Sequence, residues 1–245
     1  MFKLGKTDNG SAWKSVLLMT GDSRSGKVFA DTMAIVAMND GTRKVKAAFL
    51  PTEMTVSIPG YAKAALGTAV GLGGAELALH TVNDCFAAKA DKFALVDMDG
   101  IAALIDLIDG VKLTLSEQER CHVNRLVAAD RLPEDASGSI QVNGQQAAAY
   151  TRSSELAPDS EKLNRQKRLV AAILRKVKGE LGASAIVKLI KPALKCVKTN
   201  YNVLELAELA PVALKLDASS LQTLSLGADA DTETLRQQYQ VFLND

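Results

Sequence analysis

The apolar positions change period along the chain, and the change divides it into strands and helices. Val16–Thr20 (VLLMT) is an apolar run of strand length, and Asp31–Asn39 (DTMAIVAMN) is a second. Lys44–Leu50 (KVKAAFL) begins by alternating charged and apolar side chains, as a strand with one wet face does. Asn39-Asp40-Gly41 between them is a turn signal, so the two runs are predicted to form a β-hairpin. Gly71–Ala88 then predicts a helix with Leu72, Leu77, Leu79, Val82 and Phe86 on its apolar face. Phe93–Met98 reads as a strand, Asp99–Leu107 as a short apolar helix and Val111–Leu115 as another strand, followed by a polar stretch at Pro133–Gly138.

The remaining pattern is mostly helical. Asn143–Tyr150 is alanine-rich, and a long helix is predicted from about Ser160 to Leu181, with Leu163, Val170, Ile173, Leu174, Val177 and Leu181 on one stripe. Ala183–Lys195 and Val203–Leu214 read as two more helices, Ser219–Leu226 as a last strand, and a closing helix starts at Thr232. Strands and helices interleave without a repeat or low-complexity linker. The pattern therefore predicts a single α/β domain over residues 16–245, with helices covering a central mixed sheet, preceded by an extension at 1–15.

Composition narrows the class. Hydrophobic residues make up 47% of the 245 but aromatics only 4%, so the core must be built from Ala, Leu, Val and Ile. The net charge of +1, from 29 basic and 28 acidic residues, lacks the positive field of a general nucleic-acid binder. His80 and His122 have no partners at zinc-ligand spacing. Cys85, Cys121 and Cys196 form no C-x-x-C pair; three small buried thiols are expected, with a Cys85–Cys121 bridge as the alternative in an extracellular domain. No segment reaches the roughly 18–20 apolar residues of a membrane span, and the N-terminus lacks a signal-peptide core, so the chain reads as soluble.

Three stretches bear on chemistry. Gly21-Asp22-Ser23-Arg24-Ser25-Gly26-Lys27 follows the first strand with the spacing of a phosphate loop. The hydroxyl residue that should follow the lysine is Val28, and no acidic Walker-B strand accompanies it, which leaves a nucleotide-binding loop as a remote alternative. Asp22 and Asp31 flank this loop at adjacent strand ends, where two carboxylates suit a hard cation such as magnesium, although turn and cap roles explain both on spacing alone. In AYTRSSELAPDSEKLNRQKRL, Arg152 closes one segment, while Lys162, Arg165 and Gln166 share a face at the start of the long helix, capped by Asp159 or Ser160. Cations in a first turn oppose the helix dipole, so they suit a bound anion there; a solvated basic face continuing through Lys167 and Arg168 accounts for them equally well.

In order, GDSRSG, ADTM, LPTE, SIPGY, GGAEL, VDMDG, DGVKL, VNGQQAAAYTR and D-x-x-K-x-x-RQ make the chain resemble the catalytic domain of the LytR-CpsA-Psr family from about Val16 to the C-terminus. The resemblance implies an α/β fold with a hydrophobic pocket or tunnel for a polyprenyl chain. It implies a phosphotransferase that moves a phosphate-linked glycan from polyprenyl pyrophosphate to peptidoglycan, with a pyrophosphatase side activity. It further implies an extracellular site on a bacterial cytoplasmic membrane, reached through an anchor outside this chain. Carried over by position, Asp22 and Asp31 correspond to magnesium-associated aspartates, Arg152 and Arg165 to phosphate-binding catalytic arginines, and Asp159 to a group that orients or deprotonates the acceptor. Arg24, Lys63, Lys162 and Gln166 fall at substrate-binding positions.

The chain departs from the family where phosphate is held. Leu50-Pro51-Thr52-Glu53 stands for I-P-R-D, Ser154 for the second arginine of Y-x-R-x-R, Lys162 for an arginine, and Ala65 for a frequent asparagine. Lysine keeps the charge at 162 without the bidentate fork of arginine. These departures set a second expectation beside the first: a family member that binds the polyprenyl-phosphate lipid or wall glycan with weakened catalysis or none.

Overall fold

The computed structural model describes residues 13–22, 29–39, 41–42, 44–127, 129–134, 138–152, 159–215 and 221–245. The expected hairpin forms: β2 (Phe29–Asn39) and β3 (Lys44–Leu50) pair antiparallel from Asn39↔Lys44 to Met33↔Leu50. The Thr42 amide donates to Asn39 Oδ1 (3.0 Å), so the asparagine side chain closes the turn. β1 (Trp13–Asp22) lies antiparallel to β2 and parallel to β6 (Lys92–Asp97). β10 (Leu221–Ser225) adds parallel to β3, and the short β9 (Lys198–Thr199) adds antiparallel to β6. The result is a six-stranded mixed sheet of order β10-β3-β2-β1-β6-β9.

Chain contacts divide the protein into two compact units, Met1–Asp97 with Val197–Asp245, and Met98–Cys196. The first holds the sheet, a two-residue pair β4 (Thr55–Val56) and β5 (Ala64–Ala65), and the helices α1 (Ala69–Phe86), α7 (Val203–Lys215) and α8 (Thr232–Asn244). Its core joins Leu17, Met19, Met33 and Ile35 of the sheet to Ala78, Val82 and Phe86 of α1 and to Leu235 and Tyr239 of α8. Leu72, expected on the buried face of the first long helix, is 41% exposed. Gly73 and Gly74 have non-helical backbone angles, with Gly74 at φ 74°, so the helix breaks there and the face is set anew after it.

The second unit contains α2 (Met98–Asp106), α3 (Glu117–Leu126), α4 (Gly144–Thr151), α5 (Asp159–Glu180) and α6 (Ala183–Ala193). The expected strand at 111–115 does form, as β7 (Val111–Thr114), but it pairs with β8 (Ser139–Val142) in a separate two-stranded sheet rather than joining the central one. Ile105, Val111, Val142, Ala147, Tyr150, Leu169 and Ala172 form the core of this unit. Val170, expected on the buried stripe of α5, is 45% exposed; among the described side chains of this helix Arg165, Leu169 and Ala172 are buried, and Ile173 of the expected stripe packs partly buried against the same core. The three cysteines are free, and they are not uniformly buried: Cys85 is buried, Cys196 intermediate and Cys121 exposed.

Candidate functional site

In the first unit, strand pairing places the two aspartates. Asp22 ends β1 opposite Phe29 of β2, and the register then shifts, with Gly21 facing Ala30 and Thr20 facing Thr32. Asp31 is therefore the extra residue of a β-bulge, half-buried, at the same end of the pair as Asp22. Bulges redirect side chains at the ends of paired strands, which is how adjacent strands deliver two acidic residues to one end. The Asp22 side chain and Arg24 lie outside the described residues.

The turn after β3 is fastened to the same end. The Gly67 amide donates to the Thr52 carbonyl (2.8 Å) and the Leu66 amide to the Met54 carbonyl (2.8 Å). A Cβ on Gly67 would lie 2.7 Å from the Ala30 carbonyl oxygen and 2.5 Å from the Phe29 ring, so only glycine admits this approach to β2. Thr52, Gly67 and the Ala30–Asp31 step are thus brought together. Lys63 is exposed just before β5, four residues from Gly67. Oxygen donors from two carboxylates are a donor set that fits magnesium, which takes one or two carboxylates and completes its shell with water and phosphate oxygens. Among the described residues, no cluster of three or more His, Cys, Asp or Glu forms a closed metal cage.

The second unit carries the basic residues. α4 starts with a capping box in which Asn143 accepts from the Gln146 amide and Gln146 returns the bond to the Asn143 amide. Its first amide, that of Gly144, donates to Asp106 Oδ1 at the end of α2 (2.7 Å). The other end of α4 ends at Arg152, an exposed residue whose amide closes the last turn on the Ala149 carbonyl (3.2 Å). Asp159 is the first residue of α5, with Lys162, Arg165 and Gln166 in the next two turns. The side chains of Asp159 and Lys162 lie outside the described residues. Arg165 is 2% exposed beside Leu169 and Ala172, so it is not part of a solvated basic face; Gln166 is half-buried next to it.

A polar array that the sequence reading did not include surrounds Tyr150. Glu119 of α3, 8% exposed, caps its own helix through the Ser116 amide (2.9 Å) and pairs with the Arg168 guanidinium of α5. That guanidinium lies over the Tyr150 ring, 5.4 Å from its centroid. The phenol is buried, and its hydroxyl has no hydrogen-bond partner among the described residues. Burial first, and the Glu119 charge second, push its pKa well above the ordinary tyrosine value, against the opposing pull of Arg168 and Arg165. Ser116-x-x-Glu119 has capping-box spacing, a local signal from which α3 and this carboxylate could be found.

The model of the LytR_cpsA_psr family matches residues 5–244. The chain belongs to this family. Among curated family relatives, Biofilm regulatory protein A of Streptococcus mutans serotype c is 25% identical over 77% of the chain and 50% of its own length. The Bacillus subtilis polyisoprenyl-teichoic acid–peptidoglycan teichoic acid transferase TagV is 22% identical over 82% of the chain and 52% of its own length. The chain thus spans about half the length of these relatives. Among solved structures, the family protein YwtF (TagT) of B. subtilis with bound octaprenyl pyrophosphate lipid shares the fold, with a TM-score of 0.71 at 20% identity over 99% of this chain and 95% of that one. The α/β architecture expected from the family motifs is the one observed. Among the described residues, no helix is long and apolar enough to cross a membrane.

Proposed function

We propose that this protein transfers a phosphate-linked glycan from a polyprenyl pyrophosphate carrier to peptidoglycan, at the outer face of a bacterial cytoplasmic membrane, and that it is held there by a segment outside this chain. The family match over residues 5–244 carries the reading. The teichoic acid transferase name of TagV and the octaprenyl pyrophosphate bound to TagT support the carrier and the acceptor. An aliphatic, aromatic-poor composition suits a pocket for a polyprenyl chain.

In this reading Arg152 and Arg165 neutralise the pyrophosphate, and the buried position of Arg165 strengthens its field by excluding water. Lys162, Gln166, Lys63 and Arg24 add contacts to the substrate, Lys162 as a point charge rather than a fork. An acceptor hydroxyl oxygen forms a bond to the glycan-bearing phosphorus as the bond from that phosphorus to the polyprenyl phosphate oxygen breaks. Polyprenyl phosphate leaves, and the hydroxyl proton passes to Asp159. Asp22 and Asp31 would hold Mg2+, which would supply positive charge to a phosphate group bound there. Thr52 and Ser154 in place of two arginines thin the cationic shell, which lowers the expected rate without changing the chemistry.

The test supplies a polyprenyl-pyrophosphate-linked glycan, peptidoglycan and Mg2+ and follows glycan joined to the wall. Transfer that falls by about 10²-fold or more in Arg165→Ala supports the reading. No transfer by the wild type, or transfer indifferent to both Arg152→Ala and Arg165→Ala, overturns it.

A further inference from the structure

We propose that Glu119, Arg168 and Tyr150 form a brace that positions Arg165 for anion binding, a positioning role that rests on the function proposed above. The two arginines of that function are Arg152, the residue that caps the C-terminus of α4, and Arg165 of α5. Arg168 lies three residues after Arg165, so the two are neighbours on one side of α5. Arg168 is held twice: by the Glu119 carboxylate of α3 and by the face of Tyr150, two residues before Arg152 on α4. Glu119 is itself fixed, because its carboxylate also accepts from the Ser116 amide at the head of α3 (2.9 Å). The Tyr150 ring is held by packing and by the guanidinium, since its hydroxyl makes no hydrogen bond among the described residues. Three helices are therefore tied at one point, one turn from Arg165.

The brace has a signature that simple electrostatics reverses. Glu119→Gln removes a negative charge from the neighbourhood of Arg165 and Arg168, which by charge alone should tighten anion binding. It also releases Arg168 from its ion pair, which by positioning should weaken binding. Glutamine keeps the volume and remains a capping-box residue at this spacing, so α3 keeps its start.

The experiment measures the affinity of the full chain for geranyl pyrophosphate by calorimetry at fixed ionic strength, with the thermal midpoint of each variant. Glu119→Gln is expected to weaken binding about tenfold. Arg168→Lys, which keeps the charge but loses the planar stack, is expected to weaken it by a smaller factor and decides the matter if Glu119→Gln fails to fold. Unchanged or tighter binding in Glu119→Gln overturns the brace, as does weakening fully matched by partial unfolding at the assay temperature. Arg165→Ala separates the two claims. If it abolishes binding while Glu119→Gln does not weaken it, the brace alone falls. If Arg165→Ala leaves binding unchanged, the phosphate role of Arg165 falls and the brace with it.

Discussion

Replacing Gly144 with alanine would drive a methyl carbon into the backbone of α2. Built on the present geometry, that Cβ lies 2.0 Å from the Ala102 carbonyl oxygen, 2.5 Å from its carbonyl carbon and 2.7 Å from its Cα. None of these atoms sits on a rotatable side chain, so only separation of α4 from α2 relieves the clash. Contacts of real Cβ atoms essentially never fall below 3.0 Å, so the start of α4 must withdraw by about 1 Å. That stretches the 2.7 Å bond from the Gly144 amide to Asp106 beyond useful length. Overpacking costs about 1–3 kcal/mol, and losing a hydrogen bond to a charged acceptor costs about 1.5–3 kcal/mol. A loss of about 2.5–6 kcal/mol is expected, or a fall in Tm of roughly 5–24 °C for a chain of this size. Urea and thermal unfolding followed by circular dichroism measure it. Gly179→Ala is the control: it lies within α5 with nothing inside 4 Å of the added carbon, and it should stabilise by about 0.5–1 kcal/mol. Gly144→Ala unfolding within about 1 kcal/mol of the wild type, or both variants shifting alike, would refute the close packing of α2 on α4.

Lys46 is 1% exposed, donates to the Phe242 carbonyl (2.6 Å) and lies near the Trp13 and Phe242 rings. Burial, then the Lys44 charge, lower its pKa from 10.5 against the pull of Asp245. The unfolded chain therefore binds this proton to higher pH than the folded one, so stability should rise with pH in the window below 10.5. Urea titrations across that window should show this rise in the wild type and not in Lys46→Met; parallel curves would contradict it. A thiol reagent under native conditions should modify exposed Cys121 quickly and buried Cys85 only on unfolding, the latter because burial and the Asp84 charge also raise its thiol pKa. Equal rates at the two thiols, read by mass spectrometry, would contradict these burials.

How far the sequence could be read depended on whether a signal was local. The hairpin of β2 and β3 was legible because an N-D-G turn and two apolar runs sit side by side, and α5 was legible within a residue at each end. The separate pairing of β7 with β8 was not, because β8 (SIQV) is a four-residue strand with little pattern and its partner lies beyond a helix. α3 was missed for a different reason: its sequence, EQERCHVNRL, is polar, and only the Ser116–Glu119 capping spacing announces it. On α5 an apolar count could not place the buried face, because Arg165 is among its buried positions. The candidate site shows the same division. The family motifs marked Asp31, Arg152 and Arg165, whereas Glu119 and Arg168 meet only through the packing of α3 on α5.

The central claim is that Arg152 and Arg165 receive the pyrophosphate of a polyprenyl carrier. A crystal structure of this chain with octaprenyl pyrophosphate tests it most directly. The account predicts the pyrophosphate oxygens within hydrogen-bonding distance of both guanidinium groups and the prenyl chain enclosed by aliphatic side chains. A lipid whose pyrophosphate lies away from both arginines would contradict it.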